Sequence, residues 1–271
     1  MSHMRIAAPL VLALCMAGFQ PAPPALAQTP AERDLVARVF SDPNLVDGVV
    51  AAWGTPEPYK DVAREHAETI FGHPQMLDHF AREFVPTIAA MPGMPIEDQR
   101  RLALEIGAGI SHDLVAGGMT RIDTDALYLL YAVLYYGLMH SSDRECAMIT
   151  RDEMPADEAI RWEFHHVFSL RKEYARLYLQ AVRSAMFAEL TGRPSPRVLS
   201  TPQRRAAETI VAQRIGDMIA QGEMTGAIAD PASASDAALC QDMRAFFRMV
   251  LDEEGAVGGW MLRLMAADGA D

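Results

Sequence analysis

The chain has 271 residues, half of them hydrophobic, and its mean hydropathy is near zero. This composition is that of a packed globular protein and excludes a disordered chain. Twenty-four Lys and Arg against 36 Asp and Glu give a formal net charge of −12. A negative surface repels phosphate backbones, so we expect no nucleic-acid partner, and it attracts basic proteins.

The N-terminal residues show the three regions of an export signal. Met4-Arg5 forms a short basic region, residues 6–19 form an apolar run, and Ala25-Leu26-Ala27 has the small-x-small pattern of a signal-peptidase site. We therefore predict cleavage after Ala27 and a periplasmic or secreted mature protein. The apolar run of about 14 residues is shorter than the roughly 20 that cross a bilayer, so we expect no transmembrane segment in the mature form.

The same N-terminal stretch has alternative interpretations. One alternative is a lipoprotein anchored through Cys15, although Leu14 stands where such signals place a small residue. Another is that the apolar run forms a buried first helix. Met1-Ser2-His3 precedes a second methionine and resembles a vector-derived extension, in which case the natural chain begins at Met4.

Cleavage leaves two cysteines, Cys146 and Cys240, in the mature chain. An even number of cysteines in an oxidising compartment predicts a disulfide bond between them. The bond would close a loop of about 95 residues, worth roughly 4 to 5 kcal/mol in the chain-entropy model. The alternative is two buried thiols, because cysteine is among the most buried residue types.

From Gln28 onward, apolar residues recur at steps of three and four, and no stretch shows a sustained strand-like alternation. The predicted fold class is all-α, an irregular bundle of roughly eight to ten helices. Helix breaks are expected at Gly72-His73-Pro74, at 91–95 and at Gly117-Gly118. The predicted helices are 29–40, a short one from Asp42-Pro43, 57–71, 75–90, 96–116, 124–140, 155–190, 201–221, 236–251 and a last short one around Trp260 that follows Gly258-Gly259.

Two of these segments define the predicted architecture. Residues 124–140 are apolar on every face, which predicts a central helix buried in the bundle. Residues 155–190 form either one long helix or two helices with a bend. We expect residues 28–271 to be a single helical domain after the signal peptide 1–27, with a sub-boundary near 192–200, where glycine and prolines interrupt the periodicity.

One pair on the long helical pattern has the spacing of a metal site. Glu163 and His166 are three residues apart and share a helix face, as in the Glu-x-x-His pairs of di-metal bundles. Such a site needs a second pair, and no other histidine has a glutamate three residues before it. We therefore expect an ordinary ion pair within the helix, no metal site and no other cofactor.

The sequence contains no motif for covalent or acid-base catalysis. Ser141-Ser142-Asp143 directly follows His140, and neighbours in sequence cannot converge as a catalytic triad. The acidic pairs Asp152-Glu153 and Asp157-Glu158 precede or begin the long helical pattern, where acidic residues favour a helix N-terminus. A glycosidase pair remains an alternative that requires suitable carboxylate distances. We therefore predict no catalytic residue.

Aromatic residues on the two central segments point to a binding surface. Tyr135, Tyr136 and Trp162 have flat faces and polar tips that are common at interfaces, and we expect them to border a cleft. His165 and His166 follow Trp162 by three and four residues, so we expect them beside the same cleft. These five residues are the binding site that the sequence predicts.

The acidic charge, the expected disulfide and the absence of a catalytic motif predict a non-catalytic binding protein of the cell envelope. Its role would be that of an adaptor, a chaperone-like factor or an inhibitor of a basic protein. One alternative is an envelope enzyme or metal-binding protein that uses a His/Glu cluster. A further alternative is a carrier of an apolar small molecule. The residues to test for the enzyme are His66, His73, Glu163, His165 and His166.

Overall fold

The computed structural model describes residues 43–90 and 95–268. Within these residues every regular element is helical, which confirms the predicted all-α multi-helix fold. The predicted export signal and the predicted helix 29–40 lie outside the described residues. The α-helices are α1 Pro43–Ala52, α2 Lys60–Phe71, α3 Pro74–Ala90, α4 Ile96–Met119, α5 Thr124–His140, α6 Asp143–Thr150, α7 Ala156–Val167, α8 Lys172–Thr191, α9 Thr201–Ala220, α10 Asp236–Asp252 and α11 Gly255–Asp268.

Two short 3-10 turns accompany these helices, Glu57–Tyr59 before α2 and Ala227–Ala229 before α10. Among the described helices, none combines the length and the apolar character that a membrane span requires. One continuous cluster of buried apolar side chains extends from Val46 in α1 to Ala266 in α11. The helices on both sides of the predicted sub-boundary therefore contribute to the same cluster.

Local signals fix several helix ends. At the start of α5, Asp123 Oδ1 accepts a hydrogen bond from the amide of Ala126 at 2.7 Å. At the start of α6, Ser142 and Glu145 form a reciprocal capping box. Both devices satisfy first-turn amides that have no partner within the helix. Helix α8 ends at Gly192, whose φ of 63° is in the left-handed region that glycine adopts at little cost.

Helix α5 packs against α7, α8, α10 and α11, so it is central to the bundle. Its buried side chains include Leu127, Leu130 and Leu138. Two residues of this central helix are nevertheless exposed, Tyr128 at 47% and Met139 at 48%. These two residues are eleven positions apart and therefore lie on the same side of the helix.

The predicted break at Gly117-Gly118 is wrong, because α4 continues through both glycines to Met119. Helix α4 makes its most extensive contact with α8. A Cβ atom added at Gly118 would lie 1.9 Å from the carbonyl oxygen of Ala185. Glycine therefore serves close helix packing here, and the sequence pattern that normally ends a helix instead marks a crossing point.

The long pattern 155–190 forms two helices, the second of the two predicted arrangements. The connection between them is fixed by side chains, since Ser169 Oγ donates to the carbonyl of His166 at 2.7 Å and Tyr59 Oη donates to the carbonyl of Leu170 at 2.6 Å. The last helix differs from prediction as well, because α11 begins at Gly255 and includes Gly258. A Cβ atom at Gly258 would lie 1.9 Å from the carbonyl oxygen of Glu253, so glycine permits this tight helix start.

The predicted disulfide is confirmed, and it joins Cys146 of α6 to Cys240 of α10 with a Cα–Cα distance of 5.6 Å. Helix α6 was not predicted, although the Ser-x-x-Glu sequence at its start is a capping-box signal. Both cysteines are fully buried. The bond therefore secures the short helix α6 to the longer α10 inside the core.

We expect loss of the disulfide to destabilise the fold substantially. In the variant with both Cys146→Ala and Cys240→Ala, the free energy of unfolding should fall by about 4 kcal/mol, because the unfolded chain regains the entropy of an open loop. Urea unfolding of the oxidised protein, the reduced protein and the double variant measures this difference. Equal unfolding midpoints for oxidised and reduced protein would contradict the expectation.

A matched pair of glycine substitutions tests the α4–α8 crossing. Gly118→Ala should lower the free energy of unfolding by about 3 kcal/mol, because the helices must separate to admit the methyl group. Gly216→Ala in α9, where nothing lies within 4 Å of the added Cβ, should raise stability by about 1 kcal/mol, as is usual within an exposed helix. Thermal or urea unfolding distinguishes the two. Similar effects of both substitutions would disprove the close approach.

Candidate functional site

The residues predicted to bind meet at the C-terminal ends of α5 and α7. We call Tyr136, His140, Trp162, His165 and His166 the aromatic-histidine cluster. Helix α7 crosses α5 at Gly137, where an added Cβ would lie 2.6 Å from the indole ring of Trp162. The missing side chain at this position therefore allows the indole to lie directly on α5.

Hydrogen bonds hold Trp162 in this position. Its Nε1 donates to Ser141 Oγ at 2.7 Å. Ser141 Oγ in turn donates to the carbonyl of Gly137 at 2.8 Å, where α5 ends. The indole thus donates to a hydroxyl that itself donates to the carbonyl of Gly137, one of the last carbonyls of α5, which have no partner within the helix. The ring contacts of the cluster have centroid distances of 4.1 Å for Tyr136–His140, 4.7 Å for Trp162–His166, 5.2 Å for His165–His166 and 6.3 Å for Tyr136–His166.

His166 is the buried member of the cluster and His165 is exposed. Burial, followed by the nearby charges of His165 and His140, lowers the pKa of His166 to about 4, and Glu145 acts in the opposite direction. His166 is therefore uncharged at neutral pH. Its Nε2 lies 3.4 Å from Ser141 Oγ, but that hydroxyl already donates to Gly137, so the pair lacks the geometry of an activated nucleophile.

The structure brings four of the five predicted binding residues into contact with one another. Tyr136, Trp162, His165 and His166 share the ring contacts described above. Tyr135, the fifth, is partly buried and packs against the hydrophobic core. Cluster membership of His140 was missed, although its position one helical turn after Tyr136 was a readable signal.

The expected ion pair between Glu163 and His166 does not form. Glu163 accepts a hydrogen bond from Tyr178 Oη at 2.7 Å, and burial raises the pKa of the Glu163 carboxyl. His73, another candidate of the enzyme alternative, stacks on Phe187 with a centroid distance of 4.2 Å. The described residues contain no group of three or more His, Cys, Asp or Glu that could hold a metal ion.

His66, the remaining candidate of the enzyme alternative, is buried between α2 and α8. Arg183 donates from Nη1 to His66 Nδ1 at 3.2 Å, and the ring also contacts Trp53. Burial first, and then the charge of Arg183, lower the pKa of His66 to about 3, while a backbone hydrogen bond with Leu179 opposes the shift. His66 is therefore a neutral core residue at neutral pH.

A second surface feature is a groove between the C-terminal ends of α9 and α10. We call this cavity of about 410 Å³ the α9–α10 groove. Arg214 and Glu253 form an ion pair across it at 3.2 Å, and Arg248 pairs with Glu223 at 2.9 Å. Both arginines of the lining are therefore neutralised. The remaining lining residues are Asp217, Met218, Gln221, Met249 and Asp252.

The charge of the groove comes from Asp217 and Asp252. No side chain in the described part of the chain forms a hydrogen bond or ion pair with either carboxylate. The groove therefore carries two negative charges that no described side chain pairs with, and Met218 and Met249 also line it. Both aspartates are exposed.

The connection between α9 and α10 is held by a buried carboxylate. Asp242, which is fully buried, accepts hydrogen bonds from the amides of Thr225 at 2.6 Å and Ile228 at 3.1 Å. Nothing in the sequence indicated the groove, because its walls come from two helices joined by this long turn.

Comparison with known proteins gives no relationship: no family model, no curated protein and no solved structure matches the chain.

The lowered pKa of His66 predicts a pH-dependent stability. The unfolded chain binds a proton at this residue below about pH 6.5, whereas the native state does so only near pH 3. The stabilising contribution is thus complete above about pH 6.5 and is lost as the pH falls toward 3, by about 1.4 kcal/mol per unit. Urea unfolding between pH 7 and 5 should show a shallower decline for His66→Gln than for the natural chain.

A control separates lost titration from lost packing. Val62, on the same helix, is also buried, and Val62→Ala removes apolar contacts without removing a proton site. This variant should be less stable at every pH but should keep the pH slope of the natural chain. Identical slopes for the natural chain and His66→Gln would show that His66 is protonated equally in both states.

Proposed function

We propose that this protein is a non-catalytic binding protein of the cell envelope that takes a basic segment of a partner protein in the α9–α10 groove. The observation that carries the proposal is the charge of the groove. Asp217 and Asp252 have no counterion among the described residues, whereas Arg214 and Arg248 are both paired. A groove of this kind favours an entering Lys or Arg side chain.

The lining suits both parts of such a side chain. The methylene stem of a lysine or arginine packs on the polarisable thioethers of Met218 and Met249, and the charged end reaches the carboxylates. Ion pairs at exposed positions contribute only about 0.2 to 1 kcal/mol each, so affinity requires several contacts along a segment. The negative charge of the whole protein also raises the rate of association with a basic partner.

The shape of the groove favours a chain segment over a small apolar molecule. Pockets that hold small ligands enclose them within mostly apolar walls. The α9–α10 groove is open to solvent and is bordered by charged side chains of both helices. An extended or helical peptide can lie along such a groove and keep its own backbone polar groups solvated.

The envelope location is supported by the predicted export signal, with cleavage after Ala27. It is also supported by the Cys146–Cys240 disulfide, because such bonds persist mainly in oxidising compartments. In that compartment the protein would act as an adaptor, a chaperone-like factor or an inhibitor of a basic protein. All three roles require the same recognition of positive charge.

Removing the two carboxylates tests the groove. The variant with both Asp217→Asn and Asp252→Asn should bind a lysine-rich peptide about tenfold more weakly than the natural chain, since two ion pairs are lost. Calorimetric titrations at low and physiological salt measure the affinity. Binding to the natural chain should weaken as salt is added, because ions screen exposed charges.

A charge-matched variant controls for the net charge. Glu68→Gln together with Glu158→Gln removes two exposed carboxylates that do not line the groove. This variant should bind the peptide nearly as tightly as the natural chain. If both double variants weaken binding equally, recognition depends on overall charge and the groove is not the site. If no basic peptide binds at low salt, the proposed function fails.

A further inference from the structure

A buried arginine lies apart from both surface features. Arg263 in α11 is only 8% exposed, yet its Nη1 has no hydrogen-bond partner among the described residues. Its Nη2 makes one long hydrogen bond, at 3.4 Å, to Thr124 Oγ1. A guanidinium group has five donors in a fixed planar fork. Most of the hydrogen-bonding capacity of Arg263 is therefore unused.

The contact with Thr124 places this guanidinium at the N-terminus of α5, of which Thr124 is the first residue. A helix N-terminus carries a partial positive charge and open amide groups. Arg197 lies in the segment between α8 and α9, where its amide donates to the carbonyl of Thr120 at 2.8 Å, and its charge acts on Arg263. The guanidinium of Arg263 thus lies at the N-terminus of α5, and the charge of Arg197 is near it.

Asp123 acts on the charge of Arg263 from a distance, without an ion pair. Asp123 accepts a hydrogen bond from Ala126 as the N-cap of α5, and it forms no ion pair with Arg263 or Arg197 in the described part of the chain. Burial, followed by the charge of Arg197, lowers the pKa of Arg263, while Asp123 and Tyr131 act against the shift. A buried cation without a partner is costly, and proteins normally pair it with an anion.

We propose that Arg263, Arg197 and the N-terminus of α5 form a binding site for a small oxyanion, either a carboxylate or a phosphate. The two terminal nitrogens of Arg263 match the paired oxygens of such groups. Arg197 is exposed, so the anion enters from the side of the segment between α8 and α9, and Arg263 forms the inner end of the site. The site is independent of the α9–α10 groove.

The experiment uses the mature chain in chloride buffer, with inorganic phosphate and acetate as separate ligands. Calorimetric titration and the shift in thermal midpoint are measured for each. We expect at least one of the two anions to bind and to raise the midpoint, because a ligand that binds only the native state stabilises it. Binding of phosphate alone, of acetate alone or of both identifies the chemistry that the site accepts.

Three variants locate the binding. Arg263→Met should abolish it, and Arg197→Ala should weaken it about tenfold through the loss of one charge-assisted contact. Arg161→Ala is the matched control, because Arg161 is an exposed arginine already paired with Asp157 at 2.7 Å, and it should bind like the natural chain. Since Arg197 is exposed, its variant keeps the test valid if Arg263→Met fails to fold.

Two outcomes would overturn the site. One is the absence of heat and of a midpoint shift with both anions at concentrations of about 10 mM, at which even millimolar affinities are visible. The other is anion binding that Arg197→Ala and Arg161→Ala affect equally, which would show association with surface arginines in general.

Discussion

The side chain of Arg244 fixes the corner between α5, α6 and α10. Its Nε donates to the carbonyl of Leu138 at 2.9 Å, its Nη2 to the carbonyl of Ser141 at 2.7 Å and its Nη1 to Asp143 at 2.9 Å. The carbonyls at the end of α5 would otherwise lack partners, and a guanidinium satisfies them together with the charge of Asp143. One helical turn earlier in α10, Cys240 is covalently joined to α6. The corner is thus held by one charged hydrogen-bond network and one covalent bond.

Both surface features depend on this corner. Ser141, whose carbonyl binds Arg244, is also the residue that accepts the indole hydrogen bond of Trp162. Helix α10 therefore helps to position the aromatic-histidine cluster, through the hydrogen bonds of Arg244 and Trp162 with Ser141. In the other direction, the same helix continues from Arg244 to Arg248 and Asp252 in the wall of the α9–α10 groove. A change at the start of α10 should accordingly reach both places through a rigid helix.

The sequence predicts those parts of this fold that depend on local signals. Helix α5 begins and ends where its apolar run indicated, and the even cysteine count predicted the bond to Cys240. Failures arise where one local signal has two physical meanings, as at Gly118, where a glycine permits close packing instead of ending a helix. The pair Tyr136 and Trp162 was predictable because both residues are aromatic. The α9–α10 groove and the guanidinium of Arg263 were not, because their character comes from partners that are distant in sequence or missing.

The central claim is that a basic partner occupies the α9–α10 groove and not the side of α5 on which Tyr128 and Met139 are exposed. Photo-crosslinking in the cell envelope tests it directly, with a photoreactive side chain placed at Gln221 in the groove or, in a second variant, at Tyr128 on α5. We expect a basic protein to crosslink from position 221 at low salt. Added salt should abolish this crosslink, and no crosslink should form from position 128. A partner that crosslinks from position 128 alone would contradict the account and would assign binding to the side of α5 that carries Tyr128.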